Sequence, residues 1–260
     1  MGLTIHWRFK ASGPRQKARE LVAGLRQAAL DLPFQSVGEL VEVSGDACRA
    51  DRNSPDEPVR ALITDGVQWA QFDRRKLADG KTSRSAEVWP EHLIGFITDP
   101  GEGCESASFG LCRYPAFVRV SPERRIGTKL GSGWHWSQFC KTQYASNPGL
   151  GGVQNFLRCH LTLVALLDKA AACGIDLKVS DEGDFWTKRS VPALVREVGE
   201  MNENLAGLFG LLRTVVGRGV EGEIQKFTDF ERLETAGLAK PEMEKLRQLF
   251  AATGAKFDAP

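Results

Sequence analysis

Two histidines and a group of carboxylates are the residues of this chain best suited to acid–base chemistry. His160 lies in the middle of an apolar helical stripe, and Asp181 and Glu182 follow a short apolar segment further along the chain. A histidine paired with a carboxylate is a common arrangement for a general acid or base near neutral pH. We therefore predict His160, with His135 as a second candidate, as the proton carrier and the two acids as its catalytic partners.

The same residues also have structural explanations that the sequence leaves open. A histidine on an apolar helix face is often a buried neutral residue whose ring nitrogens are hydrogen-bonded within the protein. The acidic segment Asp181–Asp184 is equally compatible with a solvated turn that leads to a helix capped by Ser190. Under either interpretation the ring of His160 is predicted to be buried.

A second set of residues could bind an anionic ligand. The predicted strand 134–144 breaks the polar and apolar alternation of a half-buried strand, and the glycine-rich turn 149–152 connects it to a helix. Backbone amides at a helix N-terminus can bind an anion, although this turn lacks the Lys-Ser/Thr of a nucleotide-binding loop. The predicted ligand-binding residues are Lys141, Gln143, Tyr144, Gly151, Gly152 and Trp186. A plain turn and a polar, open strand face are the alternatives.

Composition limits the classes of partner. The 34 basic and 33 acidic residues nearly cancel, and the net charge of +1 creates no global field that would attract nucleic acid or an anionic membrane. No apolar run approaches the roughly 18 residues of a membrane-spanning helix, and the first residues lack the apolar segment of a signal peptide. We expect a cytoplasmic protein without a nucleic-acid or membrane partner.

The six cysteines are dispersed along the chain, and no Cys-x-x-Cys motif occurs. A chain of 260 residues can bury a core without disulfides, so free thiols are expected. The spacing gives no indication of a zinc site. The sequence predicts no metal ligand and does not identify a cofactor.

The order of predicted elements favours an α+β fold. Strands are predicted at 3–9, 37–43, 93–98, 109–120, 134–144 and 176–179; helices at 14–33, 153–172, 190–212, 229–235 and 241–253; exposed loops at 46–58 and 77–86. Closely spaced strands followed by helices predict an antiparallel or mixed sheet with helices mainly on one face. The glycines at 217, 219 and 222 divide an α+β domain, residues 1–218, from a small helical C-terminal appendage, residues 219–260.

Two functions are compatible with these patterns. The first is an enzyme that acts on a small polar or anionic substrate through histidine and carboxylate acid–base chemistry. The second is a non-catalytic module that binds a protein or a small ligand through exposed aromatic residues, because aromatic side chains are enriched at interaction hot spots. The aromatic residues in question are Trp134, Trp136, Phe185 and Trp186.

Overall fold

The computed structural model describes residues 3–49, 57–77, 80–216 and 220–252. The strands are β1 (Thr4–Ala11), β2 (Ser36–Val37), β3 (Val41–Ser44), β4 (Gln68–Leu77), β5 (Gly80–Val88), β6 (His92–Asp99), β7 (Ala107–Arg113), β8 (Phe117–Ser121), β9 (Arg124–Gly127), β10 (Trp134–Lys141) and β11 (Asp176–Asp181). The helices are α1 (Arg15–Leu30), α2 (Glu57–Gly66), α3 (Gly152–Ala172), α4 (Phe185–Lys188), α5 (Val191–Val216), α6 (Phe230–Leu238) and α7 (Pro241–Ala252).

A seven-stranded sheet forms the centre of the molecule, in the order β11-β1-β10-β7-β6-β2, with β3 also paired to β6. Its described strand pairs are antiparallel. Two hairpins, β4-β5 and β8-β9, form separate two-stranded sheets. The predicted α+β fold is confirmed, and of the two predicted kinds of sheet, antiparallel or mixed, the described pairs form the antiparallel one.

Strand β1 shows how the sequence positions its side chains. Trp7 and Phe9 are buried, whereas the intervening His6 and Arg8 are exposed. Successive side chains of a strand point to opposite faces, so the alternation separates a core face from a solvent face. On the core face Trp7 stacks on Phe109 of β7 with the ring centroids 5.0 Å apart.

The two faces of the sheet are covered unequally. Helices α1 and α3 pack against each other and against the face that carries Trp7 and Phe109. Helix α2 packs on the other face, where Leu62 contacts Gly95 of β6 and Gly66 approaches Cys112 of β7. Ten residues of helix span only about 15 Å, or about three strand spacings. The second face therefore stays open over β11, β1 and part of β10.

Several predicted boundaries are wrong. The segment 77–86 is not a loop, because Gly80–Val88 is a strand paired with β4; the predicted Asp79-Gly80 turn lies partly outside the described residues. The predicted strand 109–120 is two strands, β7 and β8, separated by residues 114–116. Pro115, in the middle of this gap, has no backbone N–H to donate to a strand ladder. Likewise, the predicted strand 37–43 divides into β2 and β3.

The first helix and the segment after it also differ from the prediction. Helix α1 runs from Arg15 to Leu30 and not from residue 14 to residue 33; Pro14 is its N-cap residue, and the cap has no side-chain hydrogen bond. No element was predicted for residues 59–76, which form most of α2 and all of β4 except its last residue. Of the predicted loop 46–58, residues 50–56 lie outside the described part of the chain.

Helices α6 and α7 form the predicted small C-terminal helical unit, whereas the domain boundary between residues 218 and 219 stays a prediction. Helices α6 and α7 pack on the second half of α5. The two helices approach each other closely at Gly207 of α5 and Gly237 of α6, where a Cβ atom on Gly207 would lie 2.6 Å from the backbone carbonyl carbon of Gly237. Only glycine fits at such a crossing. Gly217 and Gly219, two of the three glycines at the predicted boundary, lie outside the described residues.

We predict that Gly207→Ala destabilises the protein by about 1 to 3 kcal/mol, because the added methyl group would push against backbone atoms that cannot move independently. Gly199→Ala is the matched control, since Gly199 lies in the same helix with nothing within 4 Å of an added Cβ. Alanine has the higher helix propensity, so the control should be neutral or stabilising by up to about 1 kcal/mol. Urea unfolding of both variants measures the difference; equal midpoints would contradict the close helix crossing.

Candidate functional site

The structure brings together two of the predicted catalytic residues. His160 Nε2 lies 3.4 Å from Asp181 Oδ2, and its Nδ1 lies 3.0 Å from the Thr142 hydroxyl. The backbone amides of Gly183 and Trp186 each donate to the Asp181 carboxylate at 2.8 Å. The group thus joins α3 to the end of β11 and to the residue after β10.

The burial of His160 and Asp181 indicates that their interaction has a structural role. The side chain of His160 is 0% exposed and that of Asp181 is 1% exposed. Burial by itself would raise the pKa of Asp181, but the hydrogen bonds from His160, Trp186 and Gly183 outweigh it, and the pKa is lowered. Every polar atom of the pair that faces the interior has a partner, so the arrangement can stabilise the fold without a ligand.

Two further residues of the predicted site, Glu182 and Gln143, make hydrogen bonds within the protein. Glu182 is exposed, and its carboxylate accepts a hydrogen bond from the backbone amide of Thr4 at 3.0 Å. Gln143 is fully buried; its oxygen accepts from the Leu3 amide at 3.1 Å and its nitrogen donates to Asn202 at 2.9 Å. These contacts tie the N-terminal residues to the sheet and to α5.

Lys141, Tyr144 and His135 lie at other places on the molecule. The ammonium of Lys141 is 5.7 Å from the ring centre of Tyr144 and 3.7 Å from Glu105. Tyr144 packs edge-on against Phe227 of the C-terminal unit. His135 is half-buried, and its Nε2 lies 2.8 Å from the carbonyl oxygen of Ser132. The structure does not gather these three residues around His160 and Asp181.

The glycine-rich turn uses its own amide groups. The amide of Gly151 donates to the Pro148 carbonyl and that of Gly152 donates to the Asn147 carbonyl. Both glycines have positive φ, 98° and 64°, a conformation that glycine adopts without a steric penalty. The predicted anion cradle at this turn is wrong for these two amides, because both are already hydrogen-bonded.

The predicted aromatic surface is wrong as well. Trp134 and Trp136 are each only 1% exposed, with their indole nitrogens hydrogen-bonded to backbone carbonyls. Phe185 and Trp186 are half-buried against the core, and the guanidinium of Arg189 covers the Trp186 ring at 4.6 Å. The four aromatic side chains therefore do not form one exposed patch.

A cavity of about 660 Å3 opens on the part of the sheet that α2 leaves uncovered. Its floor is formed by β11, β1 and β10, and its wall by the last turn of α2 and the residues that follow. Ligand pockets commonly measure roughly 300 to 1,000 Å3. The residues that line it are His6, Trp7, Arg8, Thr64, Asp65, Val67, Gln68, Ser137, Gln138, Phe139, Lys178, Val179 and Ser180.

The floor of this cavity is basic. Arg8 and Lys178 are directly paired across β1 and β11, and Ser137 is the partner of Arg8 on β10. Like charges directly opposite each other destabilise a sheet. No ion pair among the described residues involves either cation. His6 lies in the next row with Ser180, its ring 5.6 Å from that of Phe139.

Asp65 supplies a carboxylate to the wall. It accepts a hydrogen bond from the Ser108 hydroxyl at 2.6 Å, and Ser108 in turn accepts from the Gln138 amide at 3.2 Å. Burial raises the pKa of Asp65 and outweighs these hydrogen bonds, which lower it. Asp65 also lies in the last turn of α2, where the helix dipole disfavours a negative charge. A carboxyl group so placed is suited to exchanging a proton with a ligand.

Sequence reasoning missed this site, although part of its signal was present. The polar residues of β1 alternate with buried ones, and Lys178 and Ser180 alternate with Leu177 and Val179 in β11. If β1 and β11 had been recognised as neighbouring strands, Lys178 would have been placed opposite Arg8. Asp65 gave no signal, because it lies on a helix that the sequence analysis did not predict.

Comparisons with protein-family models, with curated proteins and with solved structures found no match for this chain. Among the described residues, no group of three or more histidine, cysteine or acidic side chains has a geometry that could hold a metal ion. No described helix combines the length and apolarity needed to cross a lipid bilayer.

We predict that His160→Ala lowers the free energy of unfolding by roughly 1 to 3 kcal/mol, because it removes buried contacts, leaves the Thr142 hydroxyl without its partner and removes one hydrogen bond from Asp181. His135→Ala is the matched control, since that ring is half-buried and has one backbone partner. Denaturant melts should show the larger loss for His160→Ala. An unchanged midpoint for this variant would contradict the structural role of the pair.

The two buried aspartates should respond oppositely to neutralisation at pH 7. The folded-state pKa of Asp181 is lowered, so its charge stabilises the fold above its unfolded pKa, and this is lost as pH falls through the folded value. That of Asp65 is raised, so its charge destabilises the fold once pH exceeds the unfolded pKa. We expect Asp181→Asn to lower the melting temperature and Asp65→Asn to leave it unchanged or raise it. A clear loss of stability in Asp65→Asn would overturn the description of that site.

Proposed function

We propose that this protein binds a small anionic ligand in the cavity on the open sheet face and acts on it by acid–base chemistry. Arg8 and Lys178 bind the anionic group, and Asp65 exchanges a proton with the ligand. The observation that carries the proposal is the pair of neighbouring cations without counter-ions among the described residues, facing a partly buried carboxyl group.

The chemistry of the cavity favours a ligand with distinct ends. Arginine and lysine supply charge-assisted hydrogen bonds to a carboxylate or a phosphate, and Ser137 and Ser180 add hydroxyl groups beside them. Phe139, which is 46% exposed, offers an apolar surface next to the His6 ring. The ligand is therefore expected to be a small anion that also carries an apolar or planar portion.

Asp65 and His6 support the catalytic part of the proposal. A carboxyl group with a raised pKa stays partly protonated closer to neutral pH, where it can act as a general acid or base. The Ser108 hydroxyl orients it by donating to Oδ2. Histidine at position 6 is an exposed second proton carrier that lines the same cavity. We thus keep the predicted acid–base chemistry of a histidine and a carboxylate, but assign it to His6 and Asp65 instead of His160 and Asp181.

The alternative is a non-catalytic ligand-binding protein that uses the same cavity. Both functions require the anion to bind at Arg8 and Lys178. They differ in the role of Asp65, which would change the ligand in the first case and only tune its affinity in the second. An experiment on the two cations therefore tests both, and an experiment on Asp65 separates them.

The first test measures binding of inorganic sulfate by isothermal titration calorimetry. Removing one charge-assisted hydrogen bond costs about 1.5 to 3 kcal/mol, so Arg8→Gln and Lys178→Gln should each weaken binding by about tenfold or more. Lys10→Gln is the matched control, because Lys10 lies on the same strand and the same face as Arg8 but outside the cavity. No binding by the unaltered protein, or equal losses in all three variants, would overturn the proposal.

The second test follows the pH dependence of the same binding. Sulfate keeps its charge throughout the range, and protonation of Asp65 removes a repulsive charge from the wall. Affinity should therefore rise as pH falls through the pKa of Asp65, above the ordinary value of 3.8. Asp65→Asn should bind sulfate at neutral pH at least as tightly as the unaltered protein and lose this rise. His6→Gln identifies any contribution from the imidazole.

Catalysis is tested by incubating the protein with a metabolite extract and following anionic compounds by mass spectrometry. The unaltered protein should convert at least one of them, whereas Asp65→Asn should bind sulfate without conversion. Sulfate binding by both proteins and conversion by neither would support the non-catalytic alternative.

A further inference from the structure

Two cysteines, Cys104 and Cys159, lie close together at the loop that joins β6 to β7, and a third, Cys140, lies on the neighbouring strand β10. Cys104 lies in that loop, Cys140 lies in β10 and Cys159 lies in α3. Cys104 packs against the small hydrophobic cluster that contains Cys159. In the same loop, a Cβ atom on Gly101 would lie 2.9 Å from the Cys159 sulfur, and the Gly101 carbonyl accepts a hydrogen bond from the Cys104 amide at 3.0 Å. The thiol of Cys140 donates instead to the carbonyl oxygen of Glu105 at 3.1 Å. The loop that carries Cys104 is therefore in contact with Cys159, and the third thiol is engaged elsewhere.

Arg158 activates one sulfur of this pair. Its Nη2 lies 3.3 Å from Cys159 Sγ and 2.9 Å from Asn155 Oδ1, and its Nη1 donates to the carbonyls of Pro33 and Pro100 at 3.0 Å. A guanidinium held by so many acceptors has a fixed position. Hydrogen bonding from Cys104 and the charge of Arg158 lower the pKa of Cys159 despite burial. The thiolate is the nucleophilic form of cysteine, so Cys159 is the reactive member.

Cys104 has the complementary properties of a resolving thiol. Its pKa is raised by its hydrogen bond to Cys159 and by burial, so it keeps its proton. Cys159 has no exposed surface, whereas Cys104 is partly exposed, so an oxidant would have to approach the pair from the side of Cys104. It also lies in a loop rather than a strand or helix, next to Gly101 and Gly103 with φ of 140° and 83°.

We propose that Cys104 and Cys159 form a redox-responsive pair that a peroxide converts to a disulfide. The Cys159 thiolate attacks one peroxide oxygen; the O–O bond breaks, and the other oxygen leaves as hydroxide and takes up a proton to become water. The sulfur of Cys104 then attacks the Cys159 sulfenic acid, and a second water leaves with the Cys104 proton. Two thiols and one hydrogen peroxide thus give one disulfide and two waters.

The disulfide would connect the β6-β7 loop to α3. These elements are already in contact, because Asn155 of α3 donates to the Glu102 carbonyl of the loop at 3.0 Å. A covalent bond between two distant parts of the chain restricts the unfolded state, so the oxidised protein should melt at a higher temperature than the reduced protein. The pair is thus distinguished from a site of thiol damage, which would lower stability.

The test treats the folded, reduced protein with a small excess of hydrogen peroxide. Remaining thiols are then alkylated in denaturant, and the digest is analysed by mass spectrometry. We expect one cross-linked peptide pair that contains Cys104 and Cys159, reversal by a dithiol reductant, and a higher melting temperature before reduction. The Cys173→Ser variant serves as the parent protein for this experiment, because Cys173 is exposed and could form intermolecular disulfides.

Three variants in that parent complete the test. Cys104→Ser should abolish the cross-link, Cys140→Ser should retain it, and Arg158→Lys, which loses the fixed guanidinium, should slow it several-fold. The proposal is overturned if Cys104 or Cys159 of the parent pairs with Cys140, if both remain thiols, or if oxidation stops at sulfinic acid on either residue. The measurement on the parent decides the question even if a variant fails to fold.

Discussion

Strand β1 is the constraint on which the core and the candidate site both depend. It is hydrogen-bonded on both sides, to β11 and to β10, over nearly its whole length. Its alternation fixes Trp7 and Phe9 in the core and His6 and Arg8 over the cavity. A register shift of one residue would exchange the two sets, at the cost of burying charge and exposing aromatic surface. The stability of the core therefore fixes the position of the basic floor.

The cavity exists because one face of the sheet has too little helix to cover it. Helices α1 and α3 are long enough to cover their face, whereas α2 is short and ends beside the open strands. Its last turn brings Asp65 to the edge of the cavity, where burial and the helix dipole both disfavour the charged carboxylate. Asp181, also buried, is stabilised as an anion by two amides and an imidazole. The charge of Asp181 therefore stabilises the fold, whereas the charge of Asp65 lowers its stability.

Helix α3 carries the residues that most resemble a catalytic group and uses them chiefly for connection. His160 joins it to β11, Asn155 and Arg158 join it to the β6-β7 loop, and Phe156 packs beneath His160. A buried histidine hydrogen-bonded to a carboxylate is thus not enough to identify a site, because a substrate must also reach it. Cys104 is partly exposed, whereas neither side chain of the His160–Asp181 pair is exposed by more than 1%.

The sequence by itself determined the fold class and the burial of particular side chains. The 2-residue period of β1 and the apolar stripe around His160 depend on local geometry, so they could be recognised without a structure. Side-chain period alone could not show that α2 exists, since its segment lies between stretches that read as exposed loops. Nor could it show that β11 pairs with β1, which places Lys178 opposite Arg8. Pairing between distant strands and the uncovered half of a sheet depend on how the whole chain folds, so they become visible only in three dimensions.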